Sequence, residues 1–322
     1  MSRKWLTLLV SALLALSVAA CGDDDEDTST GGSSGGEESQ NLSGSIRIDG
    51  SSTVGPFAQA AAEEFQGQNP NVKVAVGTSG TGGGFEKFCA GETDISNASR
   101  PIKDDEEVPV CKKEGVDYSE VQVANDGIAV VSNTETKIDC MTTAQLKELW
   151  ATDKVKKYNE IDPKFPDTEV SLFGPGTDSG TFDFFTDEIN GEEGKTRKDY
   201  QPSEDDNVLV QGVEGEAGGS GYFGFSFYEG NADKLNLIGV DDGDGCVKPS
   251  AETIQDGSYK PLARPIFMYP SAKALQRPEV KAFMDYILEN QEAIAEASQI
   301  VPMTPEQVEE SKTALTSAES GS

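Results

Sequence analysis

The chain has 322 residues, with 57 Asp or Glu against 26 Lys or Arg, a formal net charge of −31 and no histidine. A chain this acidic repels nucleic-acid backbones, so we expect no nucleic-acid partner. Without histidine it cannot build a Ser-His-Asp or Cys-His catalytic unit, or a histidine-ligated metal centre. We therefore expect a protein that is not an enzyme and that carries no metal or other cofactor.

The N-terminus has the pattern of an export signal. Arg3 and Lys4 precede an apolar run at residues 5–20 that is short for a membrane span. Small residues then lead into Cys21, as in bacterial lipoproteins, whose cysteine is lipidated; a plain secretory signal is the alternative. We predict a signal peptide at 1–20, an acidic Gly/Ser tether at 21–42, and an extracytoplasmic body anchored to the cell membrane by its lipid.

The remaining length, roughly 300 residues, suggests two domains. Apolar periodicity predicts alternating strands and helices, which is typical of an α/β fold. Strands are predicted at residues 45–49, 72–76, 127–132, 170–173 and 265–269. Helices are predicted at 57–66, 85–90, 142–150 (capped by Thr142 or Thr143), 182–189, 278–290 and 305–315.

Three times, a predicted strand ends in a loop rich in Gly, Ser and Thr that opens a helix. These loops are residues 50–56, 77–84 and 174–181. Unpaired amides at a helix start, with hydroxyls beside them, form a receptor for an anion. None of the loops carries the lysine of a nucleotide-binding phosphate loop, so we expect a small anion held by neutral donors.

Arg100 follows a short predicted strand and is the candidate cation for this anion. A guanidinium offers a planar fork of donors to two oxygens of a tetrahedral anion. A surface ion pair with Asp104 or Asp105 is the alternative.

Four cysteines lie beyond Cys21, at positions 89, 111, 140 and 246. In an exported chain this number suggests two disulfides, with three connectivities open. A four-cysteine metal site is the alternative, although no C-x-x-C spacing occurs.

Several of these segments together resemble the phosphate-binding proteins that serve high-affinity phosphate ABC transporters. The matching segments are DGSSTV (49–54), SGTGGG (79–84), ISNASRP (95–101), GPGTDSGT (174–181), GYFGF (221–225) and PLARPI (261–266). The resemblance covers residues 44–312.

The resemblance implies a two-lobed type II periplasmic-binding-protein fold, with a mixed sheet flanked by helices in each lobe and the ligand in the cleft between them. Lobe I would comprise residues 43–124 plus 262–315, and lobe II residues 125–261. These lobes favour the disulfides Cys89–Cys111 and Cys140–Cys246, since each pair then lies within one lobe. The ligand residues implied are Ser52, Thr53, Val54, Ser79, Ser179, Gly180 and Thr181.

The chain departs from the family pattern at two positions. Pro175 stands where many members carry an Arg, and Arg100 where many carry an Asp. We expect Arg100 to supply the missing cation, and Asp178 to accept the proton of hydrogen phosphate and so reject sulfate. The alternative for Asp178 is a turn residue bonded to its own backbone.

The resemblance implies a function in transport. We expect high-affinity binding of inorganic phosphate by a monomer, which delivers it to the transmembrane permease subunits and ATPase of an ABC importer and touches the membrane only through its lipid. Sulfate or molybdate are alternative ligands, and a surface adhesin or signalling partner is an alternative role. An exported phosphatase with Ser52 or Ser179 as nucleophile is a further alternative, although neither serine has a histidine to activate it.

Overall fold

Strands and helices alternate along the chain, as the apolar pattern predicts. The computed structural model describes residues 42–177, 179–203 and 205–319. The predicted signal peptide, Cys21, almost all of the predicted tether and Asp178 therefore lie outside the described residues. Among the helices that are described, none combines the length and the apolar character needed to cross a membrane.

The first part of the body consists of strand–helix units and ends in a long strand. Its elements are β1 (Gly44–Gly50), α1 (Gly55–Gln68), β2 (Val72–Val76), α2 (Gly80–Cys89), β3 (Ile95–Ala98), α3 (Val108–Lys113) and β4 (Val121–Asn133).

The middle of the chain has shorter elements, and the last part returns to long helices. The middle contains β5 (Cys140–Thr142), α4 (Thr143–Ala151), a 3-10 turn (Tyr158–Glu160), β6 (Ser171–Pro175), α5 (Gly180–Phe185), a π-helical turn (Thr186–Asn190), β7 (Gln201–Ser203), α6 (Asp206–Gly215), β8 (Gly219–Gly224), α7 (Phe225–Glu229), β9 (Leu235–Asp241), β10 (Cys246–Val247) and α8 (Ala251–Gln255). The last part contains β11 (Ala263–Pro270), α9 (Ala272–Leu275), α10 (Pro278–Glu289), α11 (Gln291–Ala297) and α12 (Pro305–Glu319).

The strands form a mixed sheet, as predicted. β1 lies between β2 and β3, and these three run parallel. β11 joins β3 to β4 by antiparallel pairing, and β4 continues into antiparallel pairs with β8 and β9. β8, β6 and β7 are again parallel. Because β1, β2 and β3 are parallel neighbours, the loops after their carboxyl ends leave the sheet at one edge.

Two large apolar cores support this sheet, one in each half of the body. Phe57 and Phe283 belong to the first core, whereas Trp150 and Tyr222 belong to the second. On β4, Ala124 belongs to the first core and Ile128 to the second. Leu262, just before β11, belongs to the second core, and Ile266 on β11 belongs to the first. These switches support lobe boundaries near 125 and 262, which stay a prediction.

The glycine-rich segment 77–84 differs from its prediction as a loop. α2 begins at Gly80, so most of the segment is already helical. The low helix propensity of glycine made a loop the expected structure. The helix packs closely on β1, where a Cβ on Gly84 would collide with the Cα of Gly50.

The structure confirms both favoured disulfides. Cys89 is bonded to Cys111, and Cys140 to Cys246. The first links the end of α2 to α3, and the second links β5 to β10. The alternative of a four-cysteine metal site is therefore wrong.

Candidate functional site

One cleft, of about 630 Å³, collects the loops that follow β1, β2, β3 and β6. The first three loops reach it because their strands are parallel neighbours that end at the same edge of the sheet. The loop after β6 comes from the second half of the body and faces them. Five of the predicted site residues line this cleft: Ser52, Thr53, Ser79, Arg100 and Gly180.

Three other predicted residues, Val54, Ser179 and Thr181, are chain neighbours of residues that line the cleft. Val54 is fully buried at the N-cap position of α1. Ser179 is the N-cap of α5, where its Oγ accepts a hydrogen bond from the Thr181 amide at 3.2 Å. Thr181 is half-buried in the first turn of α5. Asp178 precedes this turn and lies outside the described residues, so its predicted role stays untested.

Gly180 is the point at which the two sides of the cleft meet. A Cβ added here would collide with the amide and Oγ1 of Thr53 and would lie 2.9 Å from Ser52 Oγ. Only glycine therefore allows the start of α5 to approach the Ser52–Thr53 loop this closely. The close approach brings hydroxyls and helix-start amides from both halves of the chain around one small volume.

Arg264, which was not predicted from the sequence as a site residue, lies at the centre of this arrangement. Its Nη2 donates to Thr53 Oγ1 at 3.0 Å, and its Nε donates to Asp126 Oδ2 at 3.3 Å. The guanidinium carbon lies 3.5 Å from the ring centroid of Phe184, on the opposite side of the cleft. The PLARPI segment, which carries Arg264, was among the matches to the family and was the only signal for it.

The Arg264 guanidinium is well shielded from water, with 18% of its side chain exposed. Burial lowers the pKa of Arg264, while its pairing with Asp126 raises it. An arginine has so high an ordinary pKa that it stays protonated here. Among the described residues, its hydrogen bonds use Nε and one N–H of Nη2, which leaves the remaining N–H groups for a ligand.

Arg100 also lines the cleft, but it has a strong partner of its own. Its Nη1 and Nη2 donate to the two carboxylate oxygens of Glu107 at 2.9 and 2.7 Å. Burial raises the pKa of Glu107, but the hydrogen bonds from Arg100 and the Lys103 amide outweigh it and keep that pKa below its usual range. The carboxylate that pairs with Arg100 is thus Glu107 rather than Asp104 or Asp105.

Ser79 is held by a carboxylate behind the cleft. Its amide and its hydroxyl both donate to Asp49 Oδ1, at 3.0 and 2.7 Å. Asp49 Oδ2 accepts from Lys87 Nζ at 2.5 Å. These bonds fix the Ser79 side chain at the start of α2 and use its hydroxyl hydrogen.

Acidic side chains line the part of the cleft that α5 and the π-helical turn contribute. Burial raises the pKa of Asp183, as does the nearby charge of Glu193, while Arg264 lowers it. The full acidic set on this side is Asp183, Asp187, Glu188 and Glu193. The cleft therefore has carboxylates on this side and both Arg100 and Arg264 among its other lining residues.

Comparisons with known proteins identify the family of this chain. The family model described as the PBP superfamily domain matches residues 35–291. Protein SphX of Synechococcus elongatus is 44% identical over 271 residues, which cover 83% of this chain and 80% of that protein. Phosphate-binding protein PstS of Staphylococcus saprophyticus is 40% identical over 281 residues, which cover 86% of each.

Two solved structures share the fold. A "possible phosphate binding protein" from Planctomyces limnophilus is 44% identical with a TM-score of 0.81, and the match covers 86% of this chain and 99% of that one. A substrate-binding protein from Clostridium perfringens, solved with bound phosphate, is 26% identical with a TM-score of 0.57, and the match covers 81% and 100%. The predicted two-lobed type II fold is confirmed. The chain belongs to the PBP superfamily and, within it, to the PstS-like phosphate-binding proteins.

Proposed function

We propose that the protein binds inorganic phosphate in this cleft and delivers it to an ABC importer. The observation that carries the proposal is the meeting of the Ser52–Thr53 loop, the start of α5 and the Arg264 guanidinium around one volume. Relatives named as phosphate-binding proteins, and a neighbour solved with phosphate bound, support the same ligand.

Hydroxyls, amides and one guanidinium are enough for tight binding of a small anion. Micromolar affinity requires about 8 kcal/mol. A hydrogen bond to a charged group contributes roughly 1.5–3 kcal/mol net. Eight to ten such bonds, roughly the number that a phosphate can accept, exceed this requirement after the costs of association.

We assign the main cationic role to Arg264. Asp126 and Thr53 hold the Arg264 guanidinium in place, and Thr53 is one of the predicted ligand residues. Arg100, the cation predicted from the sequence, lines the same cleft with its Nη atoms directed to Glu107. A contact between Arg100 and the anion remains a prediction that substitution tests.

Anion titration of the full chain tests the proposed function. We expect calorimetry to give saturable binding of one phosphate per chain, micromolar or tighter, with sulfate and molybdate much weaker. Tighter binding of sulfate or molybdate would move the protein to the alternative ligand class. No binding of any oxyanion would overturn the proposal.

We also propose that the protein is not an enzyme. A phosphatase built on Ser52 or Ser179 needs a base or a metal to activate the serine, and the chain has no histidine. We expect no turnover of a chromogenic phosphate ester by the full chain, and steady release of product would revive the phosphatase alternative.

The cellular setting completes the proposal. We propose an extracytoplasmic monomer, lipid-anchored through Cys21, with permease subunits and an ATPase as partners. The two disulfides support the location, because such bonds persist outside the cytoplasm. We expect the permease to contact the rim of the cleft on both lobes. Lobe I comprises residues 43–124 plus 262–315, and lobe II comprises residues 125–261. Mass spectrometry that finds no lipid on Cys21 would contradict the anchor.

A further inference from the structure

Two hydroxyl groups in the cleft have fixed hydrogen-bond partners: one of them accepts from its partner and the other donates. Thr53 Oγ1 accepts a hydrogen bond from Arg264 Nη2, so its own hydrogen remains available to donate to a ligand. Ser79 Oγ donates to Asp49 Oδ1 at 2.7 Å, so its hydrogen is already used. Both residues line the same cleft. Thr53 therefore presents a donor to an anion, whereas Ser79 presents lone pairs.

The direction of the Ser79 bond depends on Asp49 being ionised, since an ionised carboxylate only accepts hydrogen bonds. Lys87 Nζ lies 2.5 Å from Asp49 Oδ2, and the Ser79 amide donates to Oδ1 at 3.0 Å. Burial raises the pKa of Asp49, but the hydrogen bonds from Lys87 and Ser79 outweigh it and place that pKa below its ordinary value. Asp49 is therefore a carboxylate at neutral pH.

Two glycines leave room for the hydrogen bond between Ser79 and Asp49. A Cβ on Gly83 would lie 3.1 Å from Ser79 Oγ, and a Cβ on Gly77 would lie 2.7 Å from Asp49 Oδ2. Glycine at these two positions leaves room for the hydroxyl and the carboxylate. The hydroxyl is thus held between Asp49 and the first turn of α2.

We propose that Ser79 Oγ is the proton acceptor that lets the cleft select hydrogen phosphate over sulfate, an inference that rests on the proposed function. The P–O–H group of hydrogen phosphate donates to the Ser79 lone pair. Sulfate has no proton at neutral pH, so one of its oxygens would face that lone pair without a hydrogen between them. Two acceptors in contact with no hydrogen between them repel each other, and this is the repulsive element that discrimination requires.

Ser79 can take this role without a carboxylate in contact with the anion. The negative charge of Asp49 lies behind the hydroxyl and is paired with Lys87. The ligand therefore meets a neutral acceptor, and the site keeps its attraction for a doubly charged anion. This role is separate from the one predicted for Asp178, and the same measurements test both residues one at a time.

The test compares protonated and unprotonated tetrahedral anions in Ser79→Ala. Phosphate and arsenate keep a proton near neutral pH, whereas sulfate and selenate do not, and each group contains a smaller and a larger ion. We expect S79A in the full chain to weaken phosphate and arsenate by about ten- to a hundredfold. Sulfate and selenate should bind more tightly to S79A than to the wild type, because they lose an unfavourable neighbour and no donor.

Ser52→Ala is the matched control, since Ser52 lines the same cleft at the neighbouring loop. No partner among the described residues directs the Ser52 hydroxyl, so we expect it to donate to any of these anions and S52A to weaken all four alike. A second variant, D49A combined with K87A, keeps the net charge and releases the Ser79 hydroxyl to donate. We expect that double variant to bind sulfate more tightly than the wild type does.

The outcomes separate this inference from the proposed function. Equal weakening of all four anions in S79A, or no change in any, would overturn the role of Ser79 while leaving phosphate binding in place. A wild-type chain that binds no phosphate would overturn the proposed function itself. Far-UV circular dichroism and the melting temperature check that each variant is folded.

Discussion

Arg264 and Asp126 are direct cross-strand neighbours on β11 and β4, next to the place where the chain passes between its two cores. The residues of the local loops could be predicted from the sequence, because each loop carries its own pattern of Gly, Ser and Thr. Arg264 could not, because Thr53 and Asp126 lie 211 and 138 residues away along the chain. Only the register of β11 against β4 reveals the pair.

Arg264→Ala should weaken phosphate binding by about a hundredfold or more, since it removes a charge-assisted donor and the group that orients the Thr53 hydroxyl. Arg264→Lys should recover only part of the loss, because an ammonium lacks the planar fork. Calorimetry on folded variants measures both effects. Wild-type affinity in R264A would remove Arg264 from the site.

Arg100→Ala measures the contribution of the other guanidinium. Because Glu107 takes two of its donors, we expect a smaller loss than in R264A, of about tenfold or less. A decrease of less than about twofold would exclude Arg100 from the binding site.

The Arg100–Glu107 pair also predicts how stability depends on pH. The pKa of Glu107 is lowered in the folded state, so the pairing stabilises the fold above the ordinary pKa of 4.5 and is lost as the pH falls through the folded-state value. From about pH 5 to pH 3, the free energy of unfolding should fall less in Glu107→Gln than in the wild type.

Urea unfolding at several pH values measures this difference. Glu106→Gln is the control, because Glu106 is 63% exposed and pairs with Lys103 at the surface. E106Q should follow the wild-type curve. If E107Q also followed the wild-type curve, this result would contradict the stabilising role of the Arg100–Glu107 pair.

At the scale of elements, the site depends on where strands end and helices begin. The alternation of strand, small-residue loop and helix is local, and it predicted β1–α1, β2–α2 and β6–α5 correctly. The start of α2 was predicted too late, because the low helix propensity of glycine does not reveal the close packing of Gly84 on Gly50. Short strands such as β5, β7 and β10 have too few residues to show a period and were missed.

Gly180→Ala tests the contact between α5 and the Ser52–Thr53 loop. The added methyl would separate these elements, so we expect phosphate binding to fall by about a hundredfold while the variant stays folded. Gly115→Ala is the control, since Gly115 has a similar positive φ (72° against 78° for Gly180) and a Cβ there meets nothing within 4 Å. Equal phosphate affinity in G180A and G115A would contradict the close approach as a requirement for binding.

At the scale of the whole molecule, the acidic surface opposes the capture of an anion. The net charge is −31, and four carboxylates line one side of the cleft. Local donors decide the affinity, because charges are screened beyond about 8 Å at physiological ionic strength. The fold class could be predicted from the family resemblance, but how tightly the two sides of the cleft approach could not.

This charge predicts an unusual effect of salt on association. Screening should weaken the repulsion between protein and phosphate, so the association rate should rise by about two- to tenfold between 10 and 150 mM salt. Stopped-flow mixing, with intrinsic fluorescence as the signal, measures this rate. A rate that falls with salt would indicate that Arg100, Lys103 and Arg264 dominate the field at the entrance instead.

A crystal structure of the full chain with phosphate tests the central claim most directly. We predict one phosphate between the Ser52–Thr53 loop and the start of α5, with oxygens within hydrogen-bonding distance of Thr53, Ser79 and Arg264. Phosphate bound elsewhere on the molecule, or in the cleft without contact to Arg264, would contradict the account.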